Sequence, residues 1–90
     1  MNKTEIILEN KYPKKLGMGP TAKKLFQEIN KSSEVILNFE NIEFMSRSFA
    51  QEYVFQKHNT KCKITEINMS QSIVQLLEIV EEDFKNTCLK

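Results

Sequence analysis

The stretch VILNFENIEFMSRSFAQEY, residues 35–53, decides the fold class of this 90-residue chain. It begins with an apolar, partly β-branched run from Val35 to Phe39, which is typical of a strand that is buried on both faces. A polar turn at Glu40 follows, and after Arg47 the apolar residues recur at helical spacing. A buried strand, a short connection and a helix that begins with hydroxyl residues predict an α/β arrangement with those hydroxyls at the carboxyl edge of the sheet.

Strands and helices alternate along the rest of the chain. The stretch from Asn10 to Gly19 is predicted to be a loop, because Gly17, Gly19 and Pro13 interrupt regular structure. The order β-α-β-α-β-α requires crossover connections, and therefore a small, mainly parallel sheet. If strand order follows sequence order, the first two helices cover one face, and the other face needs the last helix or a second subunit. The predicted strands lie at 5–9, 34–39 and 61–68, and the predicted helices at 20–29, at 47–58 and from Ser70 onward.

The segment from Leu37 to Glu52 resembles the STAS-like family, the sequence class around anti-sigma factor antagonists. The family pattern runs from a hydrophobic strand through Asp or Asn and a small turn to V-x-F-I-S-S-S-F-A-D-E, and here the segment reads LNFENIEFMSRSFAQE. The resemblance implies a STAS-like α/β fold with residues 1–90 as one domain. It also implies a non-enzymatic regulatory protein that binds a protein partner. In those antagonists a serine at the start of this helix is phosphorylated by a histidine-kinase-like ATPase, so the resemblance implies partner switching with such a kinase.

The resemblance also selects a candidate partner-binding site at the start of this helix. Aligning the apolar pair that ends at Met45 places Arg47 on the position of the phosphorylated serine, with Ser46 on the usual Asp and Ser48 on the second hydroxyl. Arginine cannot accept a phosphoryl group, so the docking surface carries over more directly than the switch. The residues alone also allow plain N-capping by Ser46 or Ser48, and Ser48 has the capping-box spacing. The predicted partner-binding and phosphorylation site consists of Ser46, Arg47, Ser48, Gln51 and Glu52.

Two alternative functions come from other features of the chain. Free N–H groups at the start of a helix and nearby ammonium groups attract phosphate, so the loop Lys11–Pro20 is a candidate phosphate- or nucleotide-binding site. The loop lacks the Walker lysine and the full dinucleotide fingerprint, and glycines that permit a turn before a proline at the first helical position explain it better. The residues of this weak anion site are Lys14, Lys15, Gly17 and Gly19.

The third hypothesis is a homodimeric structural subunit that covers an open sheet face.

Composition and residue spacing disfavour nucleic-acid-binding, membrane, metal-binding and catalytic functions. Residues 1–31 carry seven Lys and three Glu, but the net charge of the whole chain is only +1. Because residues 1–31 contain no arginine, and lysine recognises phosphate geometry poorly, nucleic acid is disfavoured as a partner. All apolar runs are far shorter than the roughly 18 residues that span a bilayer, and a signal-peptide pattern is absent, so we expect a cytoplasmic protein. Cys62 and Cys88 lack metal-ligand spacing, and the single histidine, His58, has no nucleophile nearby in the sequence. We therefore expect neither a metal, a cofactor nor catalysis.

Overall fold

A computed structural model describes residues 3–88 of the chain, and the side chains of residues 3–87. The three long strands alternate with the three long helices, as the sequence predicts, and three short elements are added between them. Their bounds are β1 Lys3–Ile7, α1 Leu8–Lys11, β2 Lys15–Leu16, α2 Gly19–Ile29, β3 Glu34–Asn38, β4 Phe44–Met45, α3 Arg47–Asn59, β5 Lys63–Ile67 and α4 Gln71–Cys88.

The main sheet is parallel and has three strands in the order β1-β3-β5. Across it, Ile6 lies opposite Leu37, and Leu37 lies opposite Glu66. A second, two-stranded parallel sheet joins β2 to β4, with Lys15 opposite Phe44. The predicted α/β class, with a mainly parallel sheet reached through crossover helices, is confirmed.

The core lies between the main sheet and its helices. Val35 and Leu37 of β3 are completely buried, and the inner faces of α2 and α3 pack on them. Tyr53 of α3 is surrounded by aromatic rings: its ring centroid lies 5.5 Å from that of Phe26 and 6.3 Å from that of Phe39. In α2, the predicted helix at 20–29, the apolar residues recur at helical spacing and are all buried: Ala22, Leu25, Phe26 and Ile29.

The three long helices all lie on one side of the sheet. α4 packs against α3, and its residues Ile73, Leu77 and Val80 join the same core as Leu37. The opposite face is covered by no element in residues 3–88, and there Ile36 is only half-buried while Ile7 is 36% exposed. The prediction that β3 is buried on both faces is therefore wrong for the face that carries Ile36. No helix of the described part is long and apolar enough to cross a membrane.

The region between β1 and α2 differs most from the sequence prediction. The first strand ends at Ile7, not at residue 9, because the chain turns into the one-turn helix α1 and thereby buries Leu8 completely. The predicted loop from Asn10 to Gly19 is wrong as well, since it contains the end of α1 and all of β2. β2 forms because its backbone finds partners in a distant segment: the Lys14 carbonyl accepts from the Glu43 N–H at 2.9 Å.

The other predicted elements are confirmed with small shifts at their ends. β3 ends one residue earlier and α3 one residue later than predicted, and β5 is shorter by two residues at its start. The predicted cap of the last helix is present, because the Ser70 hydroxyl accepts from the Ile73 N–H at 3.4 Å. Cys62 lies just before β5, half-buried against the core, as expected of a small apolar residue. The side chain of Cys88 lies outside the described residues.

Candidate functional site at the start of α3

Ser46 fixes the start of α3. It has an extended backbone, with φ −76° and ψ 161°, and its hydroxyl accepts from the Phe49 N–H at 3.1 Å. The same hydroxyl donates to the Gly17 carbonyl at 2.8 Å, and the Ser46 N–H donates to the Leu16 carbonyl at 2.8 Å. N-capping by Ser46 is thus confirmed. The alternative capping box that begins at Ser48 is wrong, because Ser48 already lies inside the first helical turn.

Ser48 presents the hydroxyl that the cap does not use. The residue is exposed, and no side-chain hydrogen bond to its hydroxyl is found among residues 3–87. Its carbonyl oxygen would lie 3.4 Å from a Cβ atom built on Gly19, so the starts of α2 and α3 approach each other closely there. Neither Gly17 nor Gly19 has a positive φ, so the backbone conformation requires glycine at neither position. A Cβ atom at position 19 would lie at the edge of ordinary van der Waals contact with the Ser48 carbonyl.

The two candidate sites predicted from sequence form one continuous surface. Lys15 pairs with Phe44 across the small sheet, and Gly17 accepts the Ser46 hydrogen bond, so β2 and the following loop lie beside the start of α3. Lys14 and Lys15 take part in this pairing through their backbones and keep their side chains exposed. The structure therefore brings Gly17 and Gly19 of the predicted anion site beside Ser46 and Ser48 of the predicted partner-binding site.

Arg47 already has a partner within the chain. One guanidinium nitrogen lies 2.5 Å from the Asp83 carboxylate of α4, with 55% and 59% of the two side chains exposed. Exposed pairs of this kind contribute about 0–1 kcal/mol, so a carboxylate on another protein can replace Asp83 at little cost. Binding of a partner carboxylate by Arg47, a residue of the predicted partner-binding site, would therefore be an exchange with Asp83.

Gln51 and Glu52 point to different sides of α3. Gln51 is exposed and lines a shallow groove of about 270 Å³ between α3 and α4, together with Phe55. Glu52 is half-buried, accepts from the Gln56 side-chain amide at 2.7 Å, and packs beside Gly19. Gln51 therefore belongs to the accessible surface, whereas Glu52 mainly supports the contact between α3 and α2.

Two exposed apolar residues at this surface were missed by sequence reasoning. Met18 is 66% exposed and Phe44 is 50% exposed. A signal for Phe44 exists in the sequence: in a short strand successive side chains point to opposite faces, so only one of Phe44 and Met45 can face the core. The α3-start surface, as we use the term below, consists of Met18, Phe44, Ser46, Arg47, Ser48 and Gln51.

The chemistry of the α3-start surface suits contact better than bond making. It offers a guanidinium, a free hydroxyl and two apolar side chains, and the carboxylate nearest the guanidinium, that of Asp83, is held in an ion pair with it. His58, the histidine of the chain, lies elsewhere on α3, where it bonds Glu81 at 2.7 Å and stacks on Phe84 at 4.5 Å. Within the described residues, no three or more His, Cys, Asp or Glu side chains are placed to hold a metal ion.

Comparisons with protein-family models, with curated proteins and with solved structures find no match for this chain. The case for the α3-start surface therefore depends on its geometry and on the residues that resemble the STAS-like pattern.

Proposed function

We propose that this chain is a non-enzymatic regulatory module of the STAS-like type, which binds a protein partner through the α3-start surface. The observation that carries the proposal is the joining of two sequence-distant segments by the β2–β4 pairing and the Ser46–Gly17 hydrogen bond. Met18 and Phe44, both exposed, belong to the two segments that this joining brings to the start of α3. Aromatic residues and arginine dominate binding energy at protein interfaces, and exposed apolar patches mark interaction sites.

A partner of the histidine-kinase-like ATPase type would add a switch to this docking. Of the two serines, Ser48 is the better acceptor, because the Ser46 hydroxyl is occupied on both its donor and acceptor sides. Transfer of the terminal phosphoryl group of ATP to the Ser48 oxygen would release its proton and ADP. The phosphoserine would carry about two negative charges at a helix start beside Arg47, and would compete with Asp83 for the guanidinium.

The proposal is tested by affinity capture from the native host with matched apolar variants. Phe44→Ser removes an apolar side chain that is 50% exposed from the α3-start surface, whereas Ile79→Ser removes one of similar exposure, 53%, from α4. We expect a partner that wild type and Ile79→Ser retain and Phe44→Ser loses. Equal capture by all three proteins would count against the α3-start surface as the docking site. Adding ATP to the captured complex and locating phosphate by mass spectrometry then tests Ser48.

The nucleotide-binding alternative receives less support. Nucleotides bind α/β sheets at a point where strand order reverses, and the order β1-β3-β5 contains no reversal. Lys11, the first lysine of the proposed loop, forms an ion pair with Glu28 at 2.5 Å. We expect at most weak phosphate binding near Gly19. Saturable amide shifts at micromolar ATP, GTP or phosphate, centred on residues 14–21, would place this alternative first.

Self-association is favoured by one observation, the uncovered face of the main sheet. Parallel sheets are normally covered on both faces, and here Ile7, Ile36 and Ile67 lie on the open side. A homodimer would cover them. Sedimentation of wild type and Ile36→Lys as a function of concentration tests this second function: a dimer abolished by Ile36→Lys supports it, and a wild-type monomer at high concentration excludes it.

A further inference from the structure

A cleft of about 550 Å³, called the α3–α4 cleft below, lies between α3, α4 and the carboxyl end of β5. It is distinct from the shallow groove that Gln51 and Phe55 line. It shares no residue with the α3-start surface. Its volume is within the range of small-molecule sites, which are typically apolar with a few convergent polar groups. Val54, Met69, Val74 and Leu77 line it with apolar side chains, and Val74 is 36% exposed, so the apolar part opens to solvent.

The floor of the cleft is a fixed polar cluster. The hydroxyl of Tyr53, a residue that is only 1% exposed, donates to the Glu66 carboxylate. Lys57 donates to the same oxygen of Glu66 at 3.1 Å. This carboxylate is therefore neutralised and held in place by α3, and it gives the floor of the cleft a defined shape.

The rim that α4 contributes has an excess of negative charge. Its carboxylates Glu78, Glu81 and Glu82 line the cleft together with one ammonium group, that of Lys85. Glu81 bonds His58, whereas no cation among residues 3–87 lies within ion-pair distance of Glu78 or Glu82. Glu78 and Glu82 also repel each other, since like charges four residues apart on a helix are neighbours. A bound cation would relieve this repulsion.

We infer that the α3–α4 cleft binds a small amphipathic amine, a molecule with an apolar body and an ammonium group. The body would contact Met69 and Val74, the lining residues that keep apolar area exposed, and burial of that area provides affinity. The ammonium group would lie at the rim between Glu78 and Glu82. The charge of the rim selects the ligand class, because an anion of the same shape would meet three carboxylates against the one ammonium group of Lys85.

Three probes with one apolar body and different head groups test this inference. They are 4-phenylbutylamine, 4-phenylbutanol and 4-phenylbutyrate, titrated against the full chain while amide shifts are followed by NMR. We expect saturable shifts for the amine at Met69, Val74 and Leu77, with a dissociation constant below about 1 mM. The alcohol should bind about fivefold more weakly, as expected when one partly exposed ion pair is lost. The carboxylate should cause no saturable shift there.

A double variant and a matched control separate the rim from general electrostatics. Glu78→Gln with Glu82→Gln should remove the preference for the amine over the alcohol and leave alcohol binding unchanged. Glu34→Gln, which removes a carboxylate from the open face of the sheet, should preserve the preference. The inference is overturned if the amine causes no saturable shift, if all three probes bind equally, or if the double variant keeps the preference. Whether or not the amine binds this cleft, capture of a partner at the α3-start surface is unaffected, because the two sites share no residue.

Discussion

The inner face of α3 and the start of the same helix contact very different surroundings. Tyr53 is 1% exposed among aromatic rings and bonds Glu66 of β5, whereas 55% of the Arg47 side chain is exposed and its one ion pair is with Asp83. The two residues are separated by six positions, roughly 9 Å along a helix. The buried part provides a rigid position, and the exposed start presents groups whose loss costs the fold little. If the start of α3 binds a partner as proposed, stability and recognition depend on different turns of one helix.

The largest expected effect lies where the core meets the sheet. Replacing the completely buried Leu37 by Ala should cost about 2–5 kcal/mol, because the site cannot collapse around the missing methyl groups. The neighbouring Ile36, half-buried on the open face, provides the matched control and should cost about 1 kcal/mol when replaced by Ala. Urea denaturation of both variants measures the difference. Equal losses would mean that the open face is covered in solution, and would favour the homodimer.

A smaller effect is expected at the Tyr53 hydroxyl. Tyr53→Phe keeps the ring packing but removes a buried hydrogen bond to a carboxylate, which should cost about 1–3 kcal/mol at neutral pH. Tyr12→Phe, at a half-buried position without this bond, should cost less. A Tyr53→Phe variant as stable as wild type would show that Lys57 alone holds Glu66.

The same residue predicts an alkaline limit to stability. Burial, followed by the nearby Glu66 charge, raises the pKa of Tyr53 well above its ordinary value of 10.0. Above about pH 10 the unfolded chain therefore releases the proton while the folded chain keeps it, so stability is complete below that pH and falls as pH rises. Denaturation midpoints from pH 8 to 11 should fall steeply for wild type and less steeply for Tyr53→Phe. Parallel slopes for the two proteins would assign the alkaline loss to other groups.

At the start of α3 the expected stability effects become modest. Ser46→Ala removes the N-cap and the hydrogen bond to Gly17, and should cost about 1 kcal/mol. Ser48→Ala, which changes an exposed and unbonded hydroxyl, should have an effect close to zero. Thermal melts of the two variants compare them directly. A larger loss for Ser48→Ala would show that the helix is capped there.

The sequence predicted the fold where a pattern is local and dense. The apolar residues from Ala22 to Ile29 recur at helical spacing within one element, and the run from Val35 to Leu37 is a short, partly β-branched segment; the helix and the strand are both confirmed, although Ile36 is only half-buried. α1 has a single turn, too short to show a period, and β2 depends on pairing with β4 in a distant part of the chain. Elements of this kind become visible only when tertiary contacts are known.

The candidate site was predictable in part for the same reason. A helix start with serines marks Ser46 as a cap, but the choice between Ser46 and Ser48 depended on where the helix begins, and that boundary is set by the backbone pairing at Leu16. The contact between the loop at Gly17 and Ser46 could not be predicted from either segment alone, because the two residues are far apart in the sequence. The α3–α4 cleft was missed because its carboxylates resemble an ordinary solvated helix face in the sequence.

The smallest expected effect on folding accompanies the largest expected effect on function, and this contrast is the most direct test of the account. Arg47→Glu reverses an exposed charge on the α3-start surface, and Lys31→Glu makes the same change at an exposed position after α2. Melting temperature and affinity for the captured partner should be measured on both. We predict a nearly unchanged melt for both variants, with binding lost for Arg47→Glu and retained for Lys31→Glu. Unfolding of Arg47→Glu, or partner binding as tight as wild type, would contradict the assignment of recognition to the start of α3.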